Sequence, residues 1–535
     1  MLQPDKIIIR TAVRAESCPD RLFFFPRFPS SVFLGIRKGN GRGIKGGNCM
    51  DKKKVKEWST RRRVLTIIAC LFVLIYIGIV LYHTYKPLPE GISHDGTLFR
   101  TDNVEMLTDL TYSKDRSKDG MVHELQIFDE VFSMIDRAEE FVVTDFFLYN
   151  GYYDEKEDFP ELARTLTDRL VQKKKENPGM PVILITDPVN NGYGSYKSKE
   201  IRRLEDAGVD VVVTALDPLR DSTPIYSGVY RILFQWWGED GKGWLPNPMA
   251  EDAPKMTVRS YLKLLNVKAN HRKVIATEKG VLVNSGNPHD ASGWHGNVAF
   301  KTDGPVINDV LKAEEAISRY SGGPETFPRA ETDKNIDGLY GVQYVTERPI
   351  LEHLLEDIGK AGKGDEVWLG MFYLAKRDIL SALVEAAERG AQVRIILDPN
   401  ENAFGNKKTG LPNMPVAEEL IEDSEGRIKI RFYNAVIGQY HTKLVYVKDG
   451  EEAYISSGAA NMTERALDDY NLEANLRIEA PADSPLVADL DAYFNRLWSN
   501  EDALYTLEAE EKLDGFAQAQ RFVYGLQKLL KLTTY

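Results

Sequence analysis

Cysteine is scarce in this chain and is absent from its last 465 residues. The three cysteines, Cys18, Cys49 and Cys70, all lie in or before a long apolar segment near the N-terminus. The rest of the chain therefore offers no thiol nucleophile, no cysteine-based metal site and no disulfide framework. Any covalent chemistry in that part must use other side chains.

Positive charge is also scarce beyond the N-terminal segment. Residues 1–63 hold 16 Lys and Arg against 5 acidic residues, whereas residues 64–535 carry a net charge of −23 within a total of −12. A general nucleic-acid binder needs a basic surface, so we expect no nucleic-acid partner. Long low-complexity tracts are missing too, and 43% hydrophobic residues indicate a globular protein of two or three domains.

One long apolar run is present, at residues 64–85. Its 22 residues contain no Asp, Glu, Lys or Arg, which is enough length to cross a bilayer. Lys52–Lys54 and Arg61–Arg63 precede it, and such basic flanks favour a cytoplasmic N-terminus. We therefore expect an uncleaved single-pass anchor in the cell membrane with an extracytoplasmic body. A cleaved signal peptide is the alternative.

Two tripeptides share the pattern histidine, any residue, lysine: His271-Arg272-Lys273 and His441-Thr442-Lys443. Each opens an apolar, strand-like run. Side chains two apart in a strand point the same way, so each histidine faces the same side as its lysine. Two such pairs brought together surround one small anion with two imidazoles and two ammonium groups. That arrangement suits a phosphodiester, because one imidazole can attack phosphorus while the other protonates the leaving oxygen.

A longer internal repeat surrounds the two tripeptides. In each half an apolar strand ends in Asp-Pro, at Asp187 and Asp398, and a second aromatic-rich strand lies upstream, at 141–150 and 367–376. Helical patterns separate these strands. Continuous apolar runs that alternate with helices are typical of sheets covered on both faces. The repeat predicts an α/β fold with two similar halves, each a mixed β-sheet flanked by helices, and one shared active site.

Composition and periodicity divide the chain into five segments. The predicted segments are a basic N-terminal segment at 1–63, the transmembrane anchor at 64–85, a first half at 86–325 with an aromatic insertion near 220–255, a second half at 326–500, and a C-terminal helix at 501–535. Residues 1–49 show no clear periodicity, and Met50 opens a more ordinary anchor. We expect either a disordered tail there or an over-extended start.

The paired motifs resemble those of the phospholipase D superfamily, whose signature is one HxKxxxxD motif in each half. The resemblance spans residues 98–498. It implies a pseudo-two-fold fold, a phosphohistidine on one histidine, acid and base catalysis by the other, and no metal or other cofactor. By resemblance His271 is the expected nucleophile and His441 the expected acid, although the symmetry of the two motifs leaves this assignment open.

Several positions depart from the family pattern. Glu278 occupies the acidic position of the first motif, but Lys448 stands there in the second, with Asp449 one residue later. The G-S-x-N element that follows each motif is imperfect in both halves, and it reads Asn284-Ser285-Gly286-Asn287 and Gly458-Ala459-Ala460-Asn461. Because the acidic residue is a structural partner in the family, its loss affects the local turn rather than the chemistry.

The resemblance also implies partners for the imidazoles and for the phosphate. Glu473 resembles the family residue that orients an active-site imidazole, and Asn297 is its counterpart in the first half. An amide oxygen accepts an imidazole N–H but stabilises imidazolium less than a carboxylate does. The predicted phosphate-holding residues are Lys273, Lys443, Asn287 and Asn461.

Two further features lie in the first half. The distance from Asp187 to His271 is 84 residues, but only 43 separate Asp398 from His441, so the first half has about 41 extra residues rich in tryptophan. This insertion is either a lipid-facing lid or interfacial anchor, or a satellite core over the sheet. His289 and His295 flank Trp294 just past the first motif. Their irregular spacing favours pocket lining or incidental loop positions over a metal site.

The expected function is that of a membrane-anchored phosphodiesterase or phosphatidyltransferase of the phospholipase D type. Its partners are a phospholipid substrate, the membrane bilayer, and water or an alcohol as acceptor. Three alternatives share or border on this site: a cardiolipin synthase-like transferase, a nuclease of the same superfamily, and a non-catalytic phospholipid-binding protein. The acidic body disfavours the nuclease, and intact histidine and lysine pairs disfavour the binding protein.

Overall fold

The computed structural model describes residues 52–513, apart from 154–157, 239–240, 333–336, 404–405 and 408–409. The chain divides into two compact units, residues 1–67 and residues 68–535. The expectations for residues 1–49, and most of the C-terminal helix predicted over 501–535, lie outside the described residues. The described part of that segment contains a short strand and a short helix.

The described residues form thirteen α-helices and two 3₁₀ turns. The helices are α1 (Lys52–Tyr85), α2 (Ile127–Arg137), α3 (Leu162–Glu176), α4 (Lys199–Asp206), α5 (Pro224–Leu233), α6 (Val258–Leu264), α7 (Val306–Tyr320), α8 (Arg348–Lys360), α9 (Arg377–Arg389), α10 (Asn413–Asp423), α11 (Glu464–Leu467), α12 (Pro485–Ser499) and α13 (Ala509–Leu513). The 3₁₀ turns are Pro188–Gly194 and Asp290–Ser292.

Nineteen strands complete the described secondary structure. They are β1 (Phe99–Thr101), β2 (Val104–Tyr112), β3 (Val122–Glu124), β4 (Val142–Phe146), β5 (Val182–Thr186), β6 (Asp210–Val213), β7 (Lys273–Thr277), β8 (Gly280–Asn284), β9 (Asn297–Thr302), β10 (Tyr340–Thr346), β11 (Glu366–Met371), β12 (Gln392–Leu397), β13 (Asn402–Ala403), β14 (Asn406–Lys407), β15 (Lys429–Tyr433), β16 (Lys443–Asp449), β17 (Glu452–Gly458), β18 (Ala474–Pro481) and β19 (Thr506–Glu508).

Two large mixed sheets repeat one topology. The first has the order β3-β2-β9-β8-β7-β4-β5-β6, and the second has the order β1-β10-β18-β17-β16-β11-β12-β15-β19. In the first, β4, β5 and β6 run parallel while β7 pairs antiparallel with β4; β11, β12, β15 and β16 repeat this arrangement in the second. The predicted fold class, two similar α/β halves with mixed sheets flanked by helices, is confirmed.

Both faces of each sheet are covered, as the continuous apolar runs predict. Strands β8 and β9 pack against β16, β17 and β18, and a core shared by the two sheets fills the space between them. A second core lies under α2 and α3 on the outer face of the first sheet, and a third lies under α8, α9 and α10 on the second. The helices lie on these faces because their apolar residues recur at helical spacing.

The chain order of the strands does not match the two sheets completely. Strand β1 pairs with β10 and belongs to the second sheet, although it precedes every strand of the first. Strand β19 pairs with β15 and extends the second sheet past residue 500. The predicted boundary at 325/326 falls in the segment between α7 and β10. The segment boundaries otherwise stay a prediction.

The apolar run near the N-terminus is helical throughout. Within α1, the stretch Ser59–Tyr85 is long and apolar enough to cross a membrane, with a mean hydropathy of 3.1 in its most apolar window. Most of its side chains are exposed, but Tyr76, Ile79, Val80, His83 and Thr84 are partly or fully covered. These five residues recur at helical spacing, so one face of the last two turns packs against the body.

Candidate active site

Each predicted histidine stands two residues before a central strand, His271 before β7 and His441 before β16. The backbone at each histidine meets the other half of the fold. Asn270 forms a parallel bridge with Leu472, and Gly296 forms one with Tyr440. The two motifs therefore open at the line where the two sheets meet.

Each imidazole takes its hydrogen-bond partner from the opposite half. His271 Nδ1 lies 2.8 Å from Glu473 Oε2, and His441 Nδ1 lies 3.2 Å from Asn297 Oδ1. Glu473 immediately precedes β18 of the second sheet, whereas Asn297 opens β9 of the first. The structure thus places the two predicted orienting residues beside the two predicted histidines, each against the histidine of the opposite half. Neither histidine is fully oriented without the other half.

The network around Asn297 fixes the tautomer of His441. Asn297 Nδ2 donates to the carbonyl of His295 at 3.1 Å, and its Oδ1 accepts from Ser285 Oγ at 3.1 Å. The amide oxygen therefore faces His441 and accepts its Nδ1–H. The carboxylate of Glu473, in its ionised form, can only accept, so in that form it imposes the same tautomer on His271. In both neutral imidazoles the lone pair is then on Nε2.

The two lysines are buried beside the histidines of their own motifs. Lys273 Nζ donates to the carbonyl of His271 at 2.6 Å, and Lys443 Nζ donates to that of His441 at 2.7 Å. Each ammonium also lies over an aromatic ring, Phe147 at 5.3 Å and Phe372 at 5.1 Å. Both rings contact the histidine of the same motif as well. The same three contacts therefore recur in each half, and two of them are made by the cation itself.

Burial dominates the electrostatics of the four groups. It lowers the pKa of Lys273 to about 7 and lowers the pKa of Lys443 well below the usual lysine value. The pKa of His271 and that of His441 also lie well below 6.5, because of burial first and the lysine charges second. Burial raises the pKa of Glu473, and the lysines oppose that rise. The site therefore concentrates cationic groups that an anion would stabilise.

In each half one buried aspartate binds the backbone N–H of the residue just before the histidine. Asp187 Oδ2 accepts from the Asn270 N–H at 2.8 Å, and Asp398 Oδ2 accepts from the Tyr440 N–H at 2.6 Å. Both carboxylates are buried, which raises the pKa of each to about 7. Sequence reasoning used the two Asp-Pro pairs only as markers of the repeat. Their matched position after a central strand was the signal of this positioning role.

The two predicted phosphate-holding asparagines are placed differently. Asn287 Oδ1 accepts from the Leu148 N–H at 3.2 Å and lies in the loop after β8. Asn461 Oδ1 is buried and has no hydrogen-bond partner among the described residues. The backbone carbonyl of Ala459 lies against the His271 ring, which brings the segment before Asn461 to the site. Of these two asparagines, Asn461 therefore keeps the unused acceptor.

The acidic position of the motif is structural in the first half. Glu278 accepts from the backbone N–H groups of Glu139 and Glu140, at 2.9 and 3.2 Å, in the loop before β4. In the second half Lys448 instead pairs with Asp491 at 3.0 Å. There Asp365, in the loop before β11, accepts from the Gly450 N–H. In the first half the carboxylate lies in the turn after the motif, whereas in the second half it lies in the loop that faces this turn. Both halves therefore have a carboxylate that accepts from backbone N–H across the same contact.

The additional histidines of the first half are close to the site, but they use their nitrogens differently. His289 is bonded through both ring nitrogens, to Ser292 Oγ at 2.9 Å and to the Tyr152 carbonyl at 3.2 Å. The ring of His295 lies 5.7 Å from that of His441. Among the residues that the structure describes, no group of three or more His, Cys, Asp or Glu is arranged to hold a metal ion. His295 lines the site next to His441.

A buried ion network behind the first motif was missed by sequence reasoning. Arg272 is fully buried and pairs with Glu347 at 2.9 Å and with Glu314 at 3.1 Å. Glu347 Oε1 in turn accepts from the Glu473 N–H at 3.0 Å. Arg272 therefore connects the first motif to the residue that orients His271. The signal in the sequence was a charged residue inside an otherwise apolar strand start, where the second motif has Thr442.

Residues 354–498 match the family model described as "Cardiolipin synthase, PLD-like domain". The match covers most of the second half, including β16, β17 and β18. It confirms the predicted resemblance to the phospholipase D superfamily. No curated protein sequence matches the chain.

Solved structures similar to this chain include three proteins of low sequence identity. Phosphatidylserine synthase from Haemophilus influenzae Rd KW20 is 14% identical, with 82% of this chain and 94% of that chain covered and a TM-score of 0.46. Polyphosphate kinase from Porphyromonas gingivalis is 11% identical, with 81% and 56% covered and a TM-score of 0.37. The phospholipase D family member Nuc from Salmonella typhimurium is 21% identical, with 30% and 95% covered and a TM-score of 0.23.

Proposed function

We propose that this chain, which carries a phospholipase D-like domain at residues 354–498, is a membrane-anchored phosphodiester hydrolase or transferase that acts on phospholipids. The observation that carries the proposal is the crossed pairing of the two imidazoles, His271 with Glu473 and His441 with Asn297. Two lysines stand beside the pair and supply the positive charge that a phosphodiester requires.

The first step forms a phosphohistidine. His271 Nε2 attacks phosphorus with its lone pair, and the bond from phosphorus to the leaving alcohol breaks. His441, protonated on both nitrogens, gives its Nε2 proton to the departing oxygen. Glu473 accepts the Nδ1–H of His271 and stabilises the positive charge that develops on that ring.

The second step regenerates the enzyme. His441, now neutral at Nε2, takes the proton of water or of an acceptor alcohol as that oxygen attacks phosphorus. The bond from phosphorus to His271 Nε2 breaks, and the product phosphate or phosphodiester leaves. Lys273 and Lys443 neutralise the non-bridging oxygens in both steps, with Asn287 and Asn461 as further contacts. No step uses a metal ion.

The bound anion explains how one histidine is protonated while the other is neutral. Burial and the two lysines lower the pKa of His441 in the free site. A phosphodiester adds negative charge between the lysines, which raises the pKa of the neighbouring imidazole. His271 remains neutral because it is the group that bonds to phosphorus. Substrate binding therefore supplies the protonation state that the first step needs.

A second candidate is a cardiolipin synthase-like transferase, in which a lipid alcohol replaces water in the second step. The description of the matching family favours it. The chemistry of the first step is unchanged, so the same residues serve both reactions. The two candidates differ only in the acceptor.

Product analysis separates these candidates. The full chain, reconstituted in vesicles of mixed phospholipids, is incubated with and without a short primary alcohol and with added phosphatidylglycerol. Phosphatidic acid as the product, converted to a phosphatidyl alcohol when alcohol is present, supports the hydrolase. Cardiolipin as the product supports the lipid transferase. Release of neither, together with cleavage of single-stranded DNA, would replace both with a nuclease.

We also propose an orientation for the anchor. The basic clusters Lys52–Lys54 and Arg61–Arg63 before the apolar run favour a cytoplasmic N-terminus with the body outside. Protease added to intact protoplasts is then expected to degrade the body. A body that is protected until lysis would reverse the orientation and favour the lipid transferase, because substrate would come from the inner leaflet.

A further inference from the structure

Helix α5, in the insertion of the first half, packs alongside the apolar helix α1. Asp221, just before α5, donates its N–H to the His83 carbonyl at 2.9 Å, and the hydroxyl of Tyr76 donates to the Ile225 carbonyl at 2.7 Å. A Cβ on Gly228 would lie only 2.6 Å from a Val80 methyl group. The glycine therefore permits a close approach that no other residue allows without a shift.

These contacts run from the end of α1 back toward its middle. His83 and Tyr76 are seven residues apart on one helix, which is about 10 Å along the axis. The stretch from Asp221 to Ile225 thus follows α1 over that distance toward its apolar centre, and Gly228 then packs between the levels of Val80 and Tyr76. The insertion is fixed to the helix at two levels rather than at its end alone.

The position of α5 relative to the hydrocarbon layer follows from the length of α1. The part of the apolar run ahead of Tyr76, residues 64–75, measures only about 18 Å at 1.5 Å per residue. The hydrocarbon layer is about 30 Å thick. Arg61–Arg63 stand immediately before the run, and charged residues disfavour a shift of that end into the layer. About 12 Å of the layer then remains, which corresponds to about eight residues. When α1 spans the membrane, residues 76–83 therefore also lie in the hydrocarbon layer, together with the part of α5 that packs on them.

The exposed face of α5 has the chemistry for that environment. Ile225, Val229 and Leu233 are spaced four residues apart, so they form one stripe along the helix. Their exposed fractions are 61%, 37% and 53%. Three exposed tryptophans follow, Trp236, Trp237 and Trp244. Tryptophan concentrates at the boundary between lipid tails and head groups.

The charged residues at α5 itself, Asp221, Arg231 and the nearby Lys268, are turned inward and paired. Arg231 binds both carboxylate oxygens of Asp221 at 2.7 Å, and Lys268 lies 2.6 Å from the same carboxylate. All three side chains are buried. The lipid-facing stripe of α5 therefore carries no charge.

We propose that α5 and the tryptophans after it form a membrane-embedded wedge, whose occupant is the lipid of the bilayer that α1 crosses. The wedge, defined by Ile225, Val229, Leu233, Trp236 and Trp237, seats the body against the membrane beyond the single helix. The proposal rests on the proposed membrane anchor and does not depend on the catalytic assignment.

A matched pair of valines tests the wedge. Val229 on α5 and Val122 on β3 are equally exposed, at 37%. Each is changed to cysteine in the full chain with Cys18, Cys49 and Cys70 replaced by serine or alanine. A fluorophore is attached in detergent, and the protein is reconstituted in phosphatidylcholine vesicles with iodide on both sides. Quenching by iodide is compared with quenching by lipids that carry a doxyl group on the acyl chain.

The wedge predicts that the V229C fluorophore is quenched several-fold more by doxyl lipid than the V122C fluorophore, with the reverse order for iodide. L233C supplies a second position on the same stripe should V229C fail to fold. Equal iodide quenching at all three positions in the vesicles would overturn the proposal. So would doxyl quenching of V122C as strong as that of V229C, because it would show that the whole body, and not α5, contacts lipid.

Discussion

The two halves of the fold repeat the same strand order but give their histidines different partners. His271 is bonded to a carboxylate, Glu473, whereas His441 is bonded to an amide, Asn297. The lysine, the phenylalanine and the aspartate before the motif are matched around the two rings. A duplicated scaffold can therefore separate two catalytic roles by changing one acceptor, since a carboxylate stabilises a positively charged imidazole more than an amide does.

In the proposed mechanism this difference favours the roles that the family resemblance implies. A nucleophile that becomes a phosphohistidine carries positive charge through the intermediate, so it benefits from Glu473. The other histidine must give up its proton and take it back, which requires a partner that does not hold the charged form too strongly. Asn297 meets that requirement for His441.

Removal of either imidazole is expected to have the largest effect. H271A and H441A are each predicted to lose nearly all turnover, and the acid–base contribution alone is roughly 10² to 10⁴. The two variants should differ in one respect. With an activated phosphodiester whose leaving group needs no proton, H441A should retain a burst of labelled enzyme and H271A should not. Labelling of H271A but not of H441A would exchange the two roles.

Exchange of the two acceptors tests the comparison directly. E473Q makes both partners amides and is expected to lower kcat by roughly 10- to 100-fold, as other changes to residues that orient an imidazole do. N297D makes both partners carboxylates and should slow the first step by holding the His441 proton. The double variant E473Q/N297D reverses the asymmetry. Should it match the wild-type protein in rate and in the site of labelling, the partner would not decide the role.

The pH dependence follows from the direction of the pKa shifts. His271 must be neutral and His441 protonated, and burial with the lysine charges places the pKa of each below 6.5 in the free site. Protonation of His271 and deprotonation of His441 each remove activity. Both titrations are therefore expected below pH 6.5. A plot of kcat/KM against pH is expected to be bell-shaped with its maximum below 6.5. In K443M the alkaline limb should move to higher pH, because one cation near His441 is gone. A maximum above 7 in the wild-type protein would contradict this reading.

The sequence predicted the repeated scaffold because every unit of the repeat carries a local signal. Apolar runs, Asp-Pro ends and His-x-Lys pairs mark equivalent positions in both halves, and these positions coincide in the two sheets. Asn297 and Glu473 were paired as counterparts for the same reason. The crossing of each partner to the opposite histidine was not predicted, since no local pattern tells which half a side chain reaches.

Contacts between distant segments were not predictable in this way. The Arg272–Glu347 ion pair joins residues 75 positions apart, and the contact of Tyr76 with Ile225 joins residues 149 apart. Neither follows from a motif. General principles require only that a buried charge has a partner and that a large apolar surface contacts another apolar surface. The identity of the partner and of the contacting surface depends on the packed fold.

The smallest expected difference concerns the turn that follows each motif. Glu278 is mostly buried and accepts from backbone N–H groups of the loop before β4. Its removal in E278A leaves those donors without their charged acceptor, which typically costs about 1–3 kcal/mol. The matched change K448A removes an ion pair with Asp491 whose two side chains are about one third exposed. Such pairs contribute roughly 0–1 kcal/mol.

Thermal unfolding in detergent should therefore show a clear fall in Tm for E278A and little change for K448A, with the rate constants of both close to wild type at low temperature. An equal fall in both would mean that Lys448 supports its turn as strongly as Glu278 does, and the two halves would then be stabilised alike despite opposite charges at one position.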